Sequence, residues 1–385
     1  MFASEPANRP IPLAIGGLIA MAAALGIGRF VYTPILPAMT EALGLSATQA
    51  GLIASANLLG YLVGALLAAP PTLRGSRRTW LLASLAVSAV TTCAMGLASS
   101  LPAFLGLRFV GGAASAFVMV LASALVLDGL ASAHRSYLSP LHFAGVGVGI
   151  AVSALIVSAL IGADSDWRML WYAPGLLAVT ALAAVAWLIP YEPRHHHRPA
   201  GAHRIAGPRG LTALICGYGL FGFGYVVTAT FLVAIVRASA QLRPVEPLVW
   251  LAVGLSGAPS VAIWAKAASR YGIPRTFSAA CLVEAVGVAA SVLWPSIPGI
   301  LLAACLLGGT FMGLTALGLA RARQFAPANP RPVLARMTAA FGLGQIIGPS
   351  LAGYLFGVTG GFAVPSLLAA GALVAAAVVV RGIPL

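Results

Sequence analysis

The chain has 385 residues, of which 60% are hydrophobic and 8% charged, with a mean hydropathy of +0.98. A soluble domain carries about 25% charged residues, so this composition excludes a soluble enzyme or an aqueous binding module and places the chain in a bilayer. The formal charge of +14 rests on 22 Lys+Arg against 8 Asp+Glu, and the basic residues sit in short loops between apolar runs, so the lipid bilayer is the expected partner, not nucleic acid.

The N-terminal MFASEPANRP lacks the basic start and small-residue cleavage site of a secretory leader, so the first apolar run is expected to stay as a membrane helix. A spanning helix needs about 20 predominantly apolar residues. Twelve such runs follow one another: 13–37, 49–69, 79–98, 102–127, 139–161, 169–189, 211–236, 247–267, 275–294, 299–320, 334–357 and 362–381. Tyr32, Thr33, Pro34 and Pro37 are expected to bend or end the first. In the fourth, Arg108, Gly111, Gly112, Ser115, Met119 and Ala122 share one helical face, small, polarisable and charged. That face suits the wall of a water-filled path. Trp80, Trp167, Trp171, Trp187 and Trp294 lie near span ends and read as interfacial anchors.

The longest polar interval, Tyr191 to Gly210, follows six spans and precedes six. It reads as a cytoplasmic linker (191–210) between an N-terminal six-helix bundle (1–190) and a C-terminal one (211–385), with its histidine run a solvated, proline-broken loop. Cys93, Cys216, Cys281 and Cys305 all fall inside apolar spans without CxxC spacing, so neither a disulfide framework nor a metal or other cofactor is expected.

Orientation follows from the basic residues. Arg74, Arg77, Arg78, Arg135, Arg194, Arg198, Arg204, Arg209, Lys266, Arg270, Arg275, Arg321, Arg323, Arg331 and Arg336 fall after even-numbered spans, with Arg9 and Arg381 at the ends. The opposite loops hold Arg168, Arg237 and Arg243. Both termini are therefore expected on the cytoplasmic side.

The halves repeat each other. Gly26-Ile27-Gly28 returns as Gly222-Phe223-Gly224 at an offset of 196, while Gly75 returns as Gly272, Gly111-Gly112 as Gly308-Gly309, and Gly145-Val146-Gly147 as Gly342-Leu343-Gly344 at 197. A duplicated six-helix unit suits a transporter that rocks one half against the other around a midplane site.

With this repeat, the chain resembles the major facilitator superfamily along essentially its whole length. LRGSRR (73–78) resembles the family's basic-glycine loop through Gly75, Arg77 and Arg78, and SRYGIPR (269–275) resembles its second copy through Arg270, Gly272 and Arg275. The family's usual aspartate is replaced by Thr72 and Ser269, which implies a different latch. Leu105, Arg108 and Gly112 match a fourth-helix pattern whose arginine the family associates with proton coupling, and Gly344, Gly348, Pro349 and Gly353 resemble its glycine-proline packing motif. The segments 26–39, 55–66 and 217–235 resemble most the bacterial YbfB/YjiJ-like branch. The resemblance implies an all-α polytopic membrane protein of the bacterial inner membrane, twelve helices in two pseudo-symmetric bundles, working as a monomer by alternating access without a cofactor.

In that fold the first and fourth helices line the cavity, which puts Arg29 and Arg108 at similar depth. An intramembrane charge costs roughly 2.5–3.5 kcal/mol, and paired guanidiniums grip carboxylates with parallel hydrogen bonds, so an organic anion is the expected substrate. The plainer alternative is that each arginine holds backbone carbonyls at a glycine-loosened helix crossing. By the repeat offsets their mates are Tyr225 and Cys305, so the second half offers Tyr218, Tyr225 and Thr228 instead of charge. Tyr32, Asn57 and Gln345 complete the candidate substrate set, though interhelical hydrogen bonding also accounts for the two amides. Proton coupling is assigned to Arg108, Glu284 and His142, against the plainer alternatives of a locally paired glutamate and a packed histidine. Gating is assigned to Gly75, Arg77, Arg78, Asp128, Arg270, Gly272 and Arg275.

The expected function is thus secondary active transport of a small solute by alternating access: no GxxxxGK[ST] occurs, so a gradient and not ATP drives the solute, with a proton the expected coupling ion. The competing readings are an exporter of neutral or cationic compounds, and a membrane-embedded transferase. The first lacks a cavity carboxylate, and the second lacks a cluster of His, Asp or Glu at one face beyond Asp128, His134 and His142.

Overall fold

The computed structural model describes residues 10–68, 75–189, 208–326 and 331–383. Among these, twelve helices are long and apolar enough to cross a membrane. They are α1 (Pro10–Leu43), α2 (Ala47–Ala68), α3 (Arg77–Met95), α4 (Leu101–Ser132), α5 (Ser139–Gly162) and α6 (Met169–Leu188), then α7 (Pro208–Arg237), α8 (Glu246–Tyr271), α9 (Ile273–Leu293), α10 (Ile297–Phe325), α11 (Arg331–Thr359) and α12 (Ala363–Arg381). The histidine-bearing stretch up to residue 207, the loop with Thr72 and Arg74, and Arg9 lie outside the described residues.

The packing repeats with the sequence. In the first half α1 packs on α5 and α6, α2 on α4, and α3 on α4 and α6; in the second α7 packs on α11 and α12, α8 on α10, and α9 on α10 and α12. The halves meet where α5 crosses α8 and α2 crosses α11. Exchanging the halves turns one crossing into the other, which is the signature of a pseudo-two-fold axis. The fold is all-α, two pseudo-symmetric six-helix bundles, with no strand among the described residues.

Small residues set the crossings, because helix association within lipid depends on close backbone approach. A Cβ on Gly112 of α4 would lie 1.9 Å from the Asn57 carbonyl oxygen of α2, and one on Gly308 of α10 would lie 2.2 Å from the Val253 carbonyl oxygen of α8. Both contact partners, 112 with 308 and 57 with 253, are separated by 196. The helix-four repeat therefore runs at 196, not at the 197 that the Gly-Gly pair implied, and the mate of Arg108 is the buried Ala304 instead of the exposed Cys305. The paired glycines matched at either offset within one residue, and the sequence alone had no contact to choose between them.

Two further expectations change. The first helix does not end at its prolines: it runs to Leu43, and its break precedes them, a π-helical turn over Ala22–Ile27 followed by an irregular turn at 28–31 before helix resumes at Tyr32. A proline ring clashes with the carbonyl four residues back, which for Pro34 is that of Phe30, so the disruption falls upstream of the ring. Trp167 and Trp171 are buried, and Trp171 packs against Tyr32 with ring centroids 6.3 Å apart; Trp187 and Trp294 are exposed as expected of anchors.

Candidate functional site

The break in α1 interrupts the backbone ladder. Thr33 N–H turns back to the Phe30 carbonyl and Ile35 N–H to Val31, which leaves the carbonyls of Gly28 and Arg29 aimed at α4. Arg108 meets them: its Nη1 donates to Gly28 O at 3.1 Å and its Nη2 to Arg29 O at 3.0 Å. Hydrogen bonds from a charged donor contribute about 1.5–3 kcal/mol each, so the guanidinium offsets the cost of the broken turn. Tyr32 lies under the same guanidinium, 5.0 Å to the ring centroid, and its hydroxyl donates to Ala50 O of α2 at 2.9 Å. Asn57 Nδ2 donates to the Arg108 carbonyl at 2.9 Å, fixing the arginine's own helix.

Arg29 points toward the second half. Its Nη2 donates to the Tyr225 hydroxyl at 3.3 Å, and its guanidinium sits 4.4 Å from the centroid of Tyr61, a cation–π contact. Gln345 Nε2 donates to the same Tyr225 hydroxyl. Beside them Thr33 donates to Ala229 O at 2.6 Å. Arg29 with Tyr225 and Thr33 with Ala229 are both repeat mates, 196 apart. Mates related by a two-fold can touch only at the axis, so these contacts mark where the pseudo-axis passes.

A cavity of about 30 Å³ lies at this point, lined by Arg29, Tyr32, Thr33, Asn57, Arg108 and Thr230 among others. That is room for about two waters. Arg29 Nε, Arg108 Nε, Asn57 Oδ1 and Gln345 Oε1 are buried without a hydrogen-bond partner. Neither guanidinium has a carboxylate among its contacts with the described residues. The second half contributes rings: Tyr225 stacks on Phe311 at 6.0 Å and on Phe341 at 5.8 Å, and Phe30 meets Phe311 edge-on at 5.7 Å.

The structure thus gathers Arg29, Arg108, Tyr32, Asn57, Tyr225 and Gln345. Tyr218 joins the aromatic wall, stacked on Phe341 at 4.9 Å, but its hydroxyl turns away to Thr315 O at 3.3 Å. Glu284 is fully buried on α9, apart from the cavity lining. His142 is buried on α5, its Nε2 3.1 Å from Ser123 Oγ and its Nδ1 where a Cβ on Gly17 of α1 would stand. Tyr61 was overlooked by sequence reasoning, although it lies four residues from Asn57 and so on the same helical face.

The gating candidates form two corners. Gly75 and Gly272 both have left-handed backbone, φ +107° and +80°, which explains glycine at each. In the first corner Arg77 pairs with Asp128 at 3.0 Å, and Arg78 donates to Ile189 O at 2.7 Å and to Ala186 O, capping the C-terminus of α6. Among the described residues these contacts stay within the first half, with Asp128 joining α4 to α3. In the second corner Arg270 lies over the ring of its neighbour Tyr271, and Arg275 occupies the first turn of α9.

Comparison with known proteins completes the description. The profile of the family described as uncharacterised MFS-type transporter YbfB matches residues 21–381. The MFS-type transporter YceJ of Bacillus subtilis (strain 168) is 26% identical over 86% of this chain and 86% of its own. The gallate transporter of Pseudomonas putida is 28% identical over 45% of this chain, a match that spans 38% of that protein. The crystal structure of the nucleoside transporter NupG superimposes with a TM-score of 0.69 at 14% identity, covering 98% of this chain and 99% of that one, and so shares the fold. The chain belongs to the YbfB-type family of the major facilitator superfamily, multi-pass membrane transporters of small solutes and not enzymes.

Proposed function

We propose that the protein moves an organic anion by alternating access, with the anion held at the pseudo-axis between Arg29 and Arg108. The observation that carries this reading is the pair of buried guanidiniums facing one small cavity, without a carboxylate among their contacts with the described residues. Two such charges are costly in a membrane interior until an anion compensates them. The free Nε atoms supply donors for a carboxylate, the free Asn57 and Gln345 oxygens accept from a hydroxyl, and the surrounding rings suit a flat body. The partial match to a gallate transporter supports the same class, since gallate is a hydroxylated aromatic carboxylate.

Alternating access is supported by where the halves touch. The Arg29–Tyr225 and Thr33–Ala229 contacts, and the 3.8 Å approach of Arg237 to Glu41, join α1 to α7 from the axis to one membrane face. Opening that face breaks them and enlarges a cavity with room for only about two waters. The coupling ion in this reading is a proton, and Glu284 is the acidic residue buried within the spans.

The experiment is ligand-induced thermal stabilisation of the purified protein with size-matched aromatic carboxylates, amines and neutral analogues, repeated on Arg29→Gln. Carboxylates are expected to raise Tm in the parent and to lose about tenfold in apparent affinity in the variant, about 1.4 kcal/mol. Stabilisation by amines, or by carboxylates to the same extent in both proteins, overturns the anion site.

A further inference from the structure

Arg29 is enclosed unequally on its two sides. Toward the face where α1 ends, the halves meet backbone to backbone. A Cβ on Gly353 of α11 would lie 2.4 Å from Ala47 O of α2, and one on Gly51 of α2 would lie 2.3 Å from Pro349 O of α11. Ser55 of α2 donates to Ile346 O at 2.7 Å along the same seam, and Thr33 of α1 donates to Ala229 O of α7. Toward the face where α1 begins, the seam loosens: a Cβ on Gly342 would meet the Leu62 side chain at 2.9 Å, not a backbone.

Tyr61 stands at this looser end. Leu52, Leu59 and Leu66 recur every seven residues along α2 and are exposed, which marks the lipid face of the helix. At 3.6 residues per turn, Tyr61 is about 200° from Leu59 and shares its face with Asn57. Its half-buried side chain therefore opens between the halves and not to lipid. The Tyr61 ring lies 4.4 Å from the Arg29 guanidinium, and Arg29 itself is only 6% exposed. The small cavity lies on the other side of Arg29, lined by Thr33, Ala54, Ala229 and Thr230 among others and not by Tyr61. One side chain thus covers Arg29 toward the face where α1 begins, while packed backbones close it toward the other.

The helix crossing does not demand a tyrosine here. At the offset of 196 that relates Asn57 to Val253, the mate of Tyr61 is Gly257 of α8, where a Cβ would stand 3.5 Å from Gly147 Cα of α5. The equivalent crossing is therefore built with no side chain at this position. The cavity beyond Arg29 holds about 30 Å³, far below the roughly 300 Å³ at which ligand pockets begin, so an organic anion reaches Arg29 only if a neighbour moves. Rotation of one side chain is a far smaller rearrangement than the parting of packed backbones.

We propose that Tyr61 is the cover of the anion site. Its ring occupies the face of the Arg29 guanidinium that an anion needs, and it swings aside to admit the anion from the face where α1 begins. Ring and anion compete for one cation, so Tyr61 weakens binding while it guards access. The inference rests on the reading of the pseudo-axis as an anion site.

The test uses the full chain, purified, with Cys93, Cys216, Cys281 and Cys305 replaced by alanine and Thr230→Cys added as a reporter in the cavity beyond Arg29. Access is read as the labelling rate of that cysteine by the anionic reagent 2-sulfonatoethyl methanethiosulfonate. Benzoate affinity is read from the rise in Tm of the chain without the reporter. Tyr61→Leu is expected to be labelled about fivefold faster and to bind benzoate about fivefold more tightly, because the contact that must break is gone. Tyr61→Phe keeps the ring and is expected to match the parent, and Tyr61→Trp, the stronger cation–π partner, to be labelled more slowly. A labelling rate unchanged in Tyr61→Leu overturns the cover, whatever benzoate does. So does benzoate binding that depends on Arg29 yet is no tighter in Tyr61→Leu. Faster labelling in Tyr61→Leu, with benzoate binding absent or indifferent to Arg29→Gln, supports the cover and overturns the anion site instead. Should Tyr61→Leu fail to fold, Tyr61→Trp decides: labelling no slower than in the parent overturns the proposal.

Discussion

The two halves use one frame for opposite chemistry. At the axis the first half brings cations on α1 and α4, and the second brings rings and an amide on α7, α10 and α11. At the corners the relation differs again: Arg77 pairs with Asp128 in the first, while Arg270 lies over the Tyr271 ring in the second. The difference teaches that the repeat conserves crossings, which geometry imposes, while the groups hung on them are free to diverge.

The shared crossings give the largest expected effect. If α2·α4 and α8·α10 are one joint used twice, Gly112→Ala and Gly308→Ala will destabilise to a similar extent, by about 3 kcal/mol or more, because each Cβ meets a backbone carbonyl that cannot move aside. Unfolding midpoints of the two variants check this, and tolerance of either one breaks the equivalence. Arg108→Gln comes next. It removes two charged donors from the broken turn of α1 and is expected to cost about 2–4 kcal/mol, read in the same way, while Ala304→Ser at the mate changes Tm little. Tyr225→Phe keeps the stack but loses the hydroxyl that Arg29 and Gln345 share, so carboxylate affinity should fall several-fold, about 1 kcal/mol, with the fold intact. The smallest effect belongs to Asp128→Asn. Its pair with Arg77 is about half exposed, and its loss should cost no more than about 1 kcal/mol.

Much of this was legible in the residues. Twelve spans, the repeat and the pairing of Arg29 with Tyr225 as mates follow from apolar length and from glycines at a fixed offset. Arg108 shows where that reading stops. Both the substrate role and the carbonyl-holding alternative were open, and the geometry gives its Nη groups to carbonyls while leaving Nε free, a division that no pattern encodes. The break in α1 was placed at its prolines because the sequence marks the ring, whereas the steric conflict acts four residues earlier. Trp171 sits near a span end yet packs inward on Tyr32, since depth along a helix says nothing of which way a side chain faces.

The contact between Arg29 and Tyr225 has a consequence for ancestry. On a two-fold axis a residue faces its own copy, so a dimer of identical six-helix chains would set arginine against arginine, or tyrosine against tyrosine. A cation resting beside a phenol at that point is available only to unlike halves. Joining both halves in one polypeptide lets each copy of the position mutate alone, and the polarity of this site is a product of that freedom.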